Sequence, residues 1–207
     1  MPDPASPDLT PYRRLLIFGG SFDPPHMAHV DLPRRVAEVI GADVVAYIPA
    51  GKAPHKLDKQ QTDPIHRLAM LRLALAEEEH AVVLTDELDR VADGRPSYTV
   101  DTLEALNQRL HPEAEMRLLI GTDQVAIFEK WYRWERVIEL AEPVVMMRPP
   151  ETADNLPASW QSRVVEVSIT DVSSTAVRER VAARQSLDGW VHPAVADYIR
   201  THGLYRS

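Results

Sequence analysis

His26 and His29 stand three residues apart, so both imidazoles share one face once a helix has begun. They close the stretch Leu15–Val30, LLIFGGSFDPPHMAHV. Leu15, Leu16, Ile17 and Phe18 predict a short buried strand. Gly19 and Gly20 follow at once, where a backbone turns sharply or lets a ligand come close. Asp23, Pro24 and Pro25 are turn and helix-entry residues. A strand, a glycine turn and a helix start together make a phosphate-binding layout, because the free N–H groups and dipole of the first helical turn favour an anion. Singly the parts are weak. A Gly-Gly pair is usually a turn, and two histidines at this spacing mostly cap, pack or sit in solvent.

A second stretch repeats that logic. Val164–Ile169 predicts a strand, and Asp171-Val172-Ser173-Ser174-Thr175-Ala176-Val177-Arg178 follows as a hydroxyl-rich cap and a helix start. One reading is an N-cap with Arg178 in solvent. The other has the amides, hydroxyls and guanidinium holding a polyphosphate. Between the two lie further candidates. The loop Pro49–Lys56 carries Lys52, His55 and Lys56, either as a solvated basic loop or as phosphate ligands. Asp123 follows Gly121 after an expected strand at Met116–Ile120, where it either caps a short helix or accepts ribose hydroxyls. Trp131, Tyr132 and Trp134 are dense enough for core packing, yet a flat apolar face is also what an aromatic ring stacks on. Ser97 or Thr99 suits a cap for the helix bearing Val100, Leu103, Leu106 and Leu110.

These residues need a scaffold. Further strands are expected at Val44–Ile48, Val82–Leu84 and Pro143–Met147, and helices at Met27–Ile40, Pro64–Glu78 and Pro193–Thr201. Gly41 and Gly203 terminate two of them, and Pro33 should kink the first or delay its start. Leu204 and Tyr205 read as an anchor that packs back. Strands alternating with helices imply an α/β fold: a Rossmann-like, doubly wound, mostly parallel sheet with helices on both faces. Strand ends after Phe18, Ile48, Ile120 and Ile169 would then share one edge, where ligands of such sheets gather.

The 207 residues suffice for one core. Residues 1–12, with Pro2, Pro4, Pro7 and Pro11, read as a flexible tail, and 13–207 as a single domain. The tail has no apolar h-region, so it is not expected to be a signal peptide, and no apolar run is long enough for a membrane span. There is no cysteine, which fits a reducing compartment and a cytoplasmic setting. A formal net charge of −8 argues against a nucleic-acid partner. Homo-oligomerisation is left open. A zinc hydrolase built on His26 and His29 is disfavoured, since no His-Glu-x-x-His pattern or third ligand is recognisable.

As a unit, the first stretch resembles the GG[ST]FDPxHxGH signature of the nucleotidyltransferase superfamily, with Ala28 in place of the usual glycine. Ser173–Arg178 resembles its [IV]SST-x-x-R signature. The order GGSFDPPH, APHK, SYT, GTD, WY, RP, SSTAVR, GLYR runs from Leu15 to Arg206 and resembles bacterial nicotinate-nucleotide adenylyltransferases. That resemblance implies adenylyl transfer from ATP to nicotinate mononucleotide. It also implies His26, His29, Lys56 and Arg178 as the catalytic group. ATP would meet Phe18, Gly19, Gly20, Ser21, Phe22, Asp23, His26, His29, Gly121, Asp123, Ser173, Ser174, Thr175 and Arg178. Lys56, Thr99, Trp131, Tyr132 and Arg148 would hold the nicotinate nucleotide, Trp131 by stacking. Mg²⁺ would arrive with ATP, and no metal site of the protein's own is implied. Nicotinamide mononucleotide or phosphopantetheine as acceptor is the nearest alternative. A non-catalytic nucleotide-binding module, suggested by Ala28, is an alternative of another class.

Overall fold

The computed structural model describes residues 7–51, 61–92, 97–147, 152–167 and 172–206. The elements run β1 (Arg14–Gly20), α1 (Met27–Ile40), β2 (Val44–Pro49), α2 (Pro64–Ala74), β3 (Ala81–Val83), α3 (Asp86–Ala92) and α4 (Thr99–Asn107). They continue with β4 (Glu115–Gly121), α5 (Thr122–Val125), α6 (Trp134–Leu140), β5 (Ala141–Met146), α7 (Ala158–Gln161), β6 (Val164–Val165), α8 (Ser174–Ala182) and α9 (Pro193–His202). The six strands form one sheet in the order β3-β2-β1-β4-β5-β6, and every described pairing is parallel.

The strand residues read as near-continuous apolar runs because both faces of the sheet are covered. Successive side chains alternate between two cores. Leu16, Phe18, Val45, Tyr47 and Leu119 face the cluster shared with α1, α2, α8 and α9. Leu15, Ile17, Val44, Ala46, Ile48, Leu118 and Ile120 face the cluster shared with α4 and α6. The doubly wound expectation is therefore met.

Several boundaries differ from the sequence reading. The α1 helix starts at Met27 despite Pro33, which lies inside it without delaying it, and Gly41 closes it at φ 67°. The α2 helix ends at Ala74 rather than Glu78, leaving the acidic run outside. The sixth strand is a two-residue element, and Ile169, where it was expected to end, lies outside the described residues. The α4 helix is capped by neither Ser97 nor Thr99: Tyr98 occupies the N-cap and makes no side-chain cap bond.

The expected loose tail is also revised within the described part. Leu9 is 2% exposed and belongs to the second core, with Tyr12 packed against the same cluster. Asp8 accepts from the amide and hydroxyl of Thr10, which turns the chain so that Leu9 points inward. We expect Leu9→Ala to lower unfolding free energy in urea by about 2–5 kcal/mol, the usual cost of a core leucine. A change of under ~0.5 kcal/mol, typical of an exposed position, would show that Leu9 is not part of the core.

Candidate active site

In a sheet of order 3-2-1-4-5-6 the topological switch point lies between β1 and β4, and the crevice opens at their carboxyl ends. A cavity of about 440 Å³ lies there. Phe18, Gly19, Gly20 and Ser21 line it from β1, and Gly121 and Asp123 from β4. His29 faces it from α1, Thr99 from α4, and Trp131 and Tyr132 from the segment before α6. Ten of the expected site residues thus converge on one space.

The glycines are there for clearance. A Cβ on Gly20 would come 2.9 Å from the Phe22 ring, and one on Gly121 would come 2.6 Å from Asp123 Oδ1. Phe22 itself is 1% exposed at φ 48°, edge-on to Phe18 and to His29. Its side chain therefore shapes the corner from within rather than reaching the cavity.

His26 is the N-cap of α1, and its ring stacks on His29 with centroids 3.6 Å apart. The His26 amide donates to His29 Nδ1 at 3.3 Å. That bond makes Nδ1 an acceptor, so the neutral His29 ring carries its proton on Nε2. One helix-terminal amide expected to face an anion is already engaged, since Met27 N–H donates to the Trp190 carbonyl at 2.9 Å.

The second corner docks on the first. Arg178 donates to the Asp23 carbonyl at 2.7 Å, and Ser174 Oγ to the Pro24 carbonyl at 2.8 Å. Ser173 caps α8 by accepting from the Ala176 amide, and Arg178 also donates to Thr175 Oγ1. His26 and Arg178 thus sit on the same folded corner, although Ser173, Ser174, Thr175 and Arg178 abut the corner rather than line the cavity. The Asp23 carboxylate points into the protein, accepting from Tyr205 O–H at 2.6 Å and from the Thr62 amide at 3.1 Å. Lys56 and Arg148 lie outside the described residues.

Sequence reading missed three supports, Arg67, Glu87 and Phe128. Arg67, 1% exposed, donates to the Thr62, Ser21 and Ala50 carbonyls at 2.9–3.0 Å. Burial lowers its pKa, while the nearby Asp23 carboxylate favours the charge. Glu87 lines the cavity and accepts from the Gly51 amide at 3.2 Å; burial raises its carboxyl above the ordinary range. Phe128 supports Trp131 at 5.0 Å and is itself met edge-on by Trp160. Tyr98 packs on Tyr132 at 4.8 Å. Tyr98 belongs to the Ser97-Tyr98-Thr99 motif already noted, whereas no motif pointed to the other three.

Chemically, the crevice offers hydrogen-bond donors and close backbone at one end and an aromatic wall at the other. Among the described residues no group of three or more His, Cys, Asp or Glu stands together to hold a metal, and no helix is long and apolar enough to cross a membrane. Such a site at a switch point defines a nucleotide-binding α/β protein.

Comparison with known proteins sharpens that class. The cytidylyltransferase-like family model matches residues 17–180. The nicotinate-nucleotide adenylyltransferase of Bacillus subtilis (strain 168) is 31% identical over 195 residues, covering 94% of this chain and all of the relative. The probable nicotinate-nucleotide adenylyltransferase of Chromobacterium violaceum is 37% identical, covering 93% of this chain and 99% of the relative. The nicotinic acid mononucleotide adenylyltransferase of Plasmodium falciparum, solved in complex with NaAD, shares the fold at TM-score 0.73 and 18% identity, covering 93% and 97% of the two chains. The chain belongs to the cytidylyltransferase-like family and, within it, to the nicotinate-nucleotide adenylyltransferases.

Tyr205→Phe removes the hydroxyl that holds Asp23. We expect a stability loss of about 1.5–3 kcal/mol in urea unfolding, the range for a bond to a charged group. An unchanged midpoint would mean that the C-terminal segment does not brace the corner.

Proposed function

We propose that the protein transfers the adenylyl group of ATP to nicotinate mononucleotide in the switch-point cavity, giving deamido-NAD and pyrophosphate. The observation that carries this reading is the docking of Ser174 and Arg178 onto the corner that leads into His26 and His29. The aromatic wall across the cavity supports a flat heterocycle as acceptor.

The nucleophile belongs to the substrate. The acceptor phosphate has a second pKa near ~6, so it is largely ionised at neutral pH. One of its oxygens attacks the α-phosphorus of ATP, the bond from that phosphorus to the β-bridging oxygen breaks, and pyrophosphate leaves with the electron pair. No protein nucleophile is needed. The barrier lies in bringing two polyanions together and stabilising charge on the leaving group, which positioning and fixed donors supply.

His29, with its proton on Nε2, donates to the ATP phosphates, and His26 stacked on it is the second donor. Arg178 and Lys56 neutralise the leaving pyrophosphate. Gly19 and Gly20 admit the nucleotide, Asp123 accepts from ribose hydroxyls, and Ser173–Thr175 complete the phosphate side. Thr99, Trp131 and Tyr132 hold the nicotinate end, Trp131 by stacking, with Arg148 near a phosphate. Nucleotidyltransferases of this kind generally use a divalent metal with ATP. Here Mg²⁺ enters as part of that substrate and keeps most of its waters. The setting is the cytoplasm, in keeping with a chain that has no cysteine.

The test is pyrophosphate release with ATP and, side by side, nicotinate mononucleotide, nicotinamide mononucleotide and phosphopantetheine. Nicotinate mononucleotide should give the highest kcat/KM, and a higher value for either rival would replace the acceptor. His29→Ala should lower kcat ~10²-fold or more, the range for one lost transition-state donor; near-wild-type turnover would remove His29 from the chemistry. Trp131→Ala should raise KM for the acceptor about tenfold while leaving KM for ATP unchanged, since an aromatic pair is worth ~0.5–1.5 kcal/mol beyond its area. Equal effects on both substrates would argue against stacking.

A further inference from the structure

Glu87 is an acidic side chain in the wall of a cavity built for anions, and the phosphate chemistry gives it no task. Its position suggests one. Oε2 accepts the Gly51 amide at 3.2 Å. Gly51 is buried and follows Ala50, whose amide donates to the Gly20 carbonyl at 2.8 Å and whose carbonyl is held by Arg67. That end of the carboxylate is therefore fastened to the glycine corner. The other end faces α4: Oε1 stands 3.5 Å from Thr102 Oγ1. Thr102 is 1% exposed and accepts from Arg90 at 2.6 Å, and Arg90 also donates to the Asp101 carbonyl at 3.1 Å. One turn back on the same helix stands Thr99, beside Tyr98, which packs on Tyr132.

We propose that Glu87 is a positioning residue that sets the phosphate side of the cavity against its ring side. It spans from the end of β2 to the α4 wall and touches neither substrate. Each half of the site has its own supports: Arg67, Ser174 and Arg178 on one side, Phe128 and Trp160 on the other. Losing Glu87 leaves both halves formed and loosens their separation. An acceptor phosphate a fraction of an ångström out of line reacts slowly although it is bound, because misplacement by ~1 Å can cost ~10²-fold in rate. The inference rests on the adenylyl-transfer reading, and wild-type turnover tests that reading separately.

The experiment compares wild type, Glu87→Ala and Glu87→Gln by steady-state kinetics and by calorimetric binding of each substrate alone. Glu87→Ala should lower kcat about ten- to a hundredfold, while the Kd of ATP and that of nicotinate mononucleotide each stay within about threefold. Glu87→Gln should keep at least a third of kcat, because its amide oxygen still accepts the Gly51 hydrogen. A kcat within threefold of wild type in Glu87→Ala would overturn the proposal. So would a tenfold loss of binding for either substrate alone, which would make Glu87 a local support of that half. Equal slowing in the two variants would overturn it as well, by making charge rather than the Gly51 bond the determinant. If wild type releases no pyrophosphate with any acceptor, the functional reading fails and the proposal falls with it; turnover by wild type with kcat kept in Glu87→Ala overturns the proposal alone.

Discussion

The site depends on how four backbone carbonyls find donors where the chain leaves the sheet. Past Gly20 the β1 ladder ends, and buried carbonyls without partners are costly. Arg67 serves Ser21 from below, Ser174 serves Pro24, and Arg178 serves Asp23. Arg67 also takes the Ala50 carbonyl and so joins the ends of β1 and β2. Planar guanidinium groups suit this task because one fork serves several fixed acceptors and stays charged. The Ser174 and Arg178 contacts join residues 150 and 155 positions apart in the chain, so this corner exists only once the whole sheet has formed.

Rigidity at that corner matters because the reaction asks the protein for placement rather than for a nucleophile. Donors already held in position cost nothing to reorganise when charge develops on the leaving group. The His26–His29 stack, the Phe18–Phe22 edge contact and the Tyr205–Asp23 bond all restrict the same few residues. On the ring side, Trp160 against Phe128 against Trp131 does likewise with apolar surface. The cavity is thus two separately braced walls.

Much of the scaffold was legible because it is written in short-range pattern. The run Leu15–Phe18 is apolar throughout because both faces of β1 are buried, and Gly41 stops α1 where a left-handed residue was needed. The converging site was legible from motif order. What stayed hidden is what only tertiary contact creates. Arg67 reads as a solvated helical residue until Ser21, Ala50 and Thr62 are brought to it. Glu87 lies in a charged stretch typical of a surface, and α3 that carries it has no clear apolar period. Trp160 sits in a segment that reads as loop, yet its ring meets Phe128, which packs on Trp131. Asp23 reads as a turn residue, and only tertiary contact shows that its carboxylate turns inward to Tyr205 and Thr62. Cap chemistry misled at α4, where Tyr98 rather than a hydroxyl residue fills the N-cap.

The central claim is that both strand-to-helix corners hold one triphosphate. A crystal structure with a non-hydrolysable ATP analogue tests it most directly. The expected result is a single triphosphate with oxygens within about 3 Å of His29 Nε2 and of the Arg178 guanidinium. A triphosphate bound at one corner, with the other corner more than a water's width away from any phosphate oxygen, would contradict it.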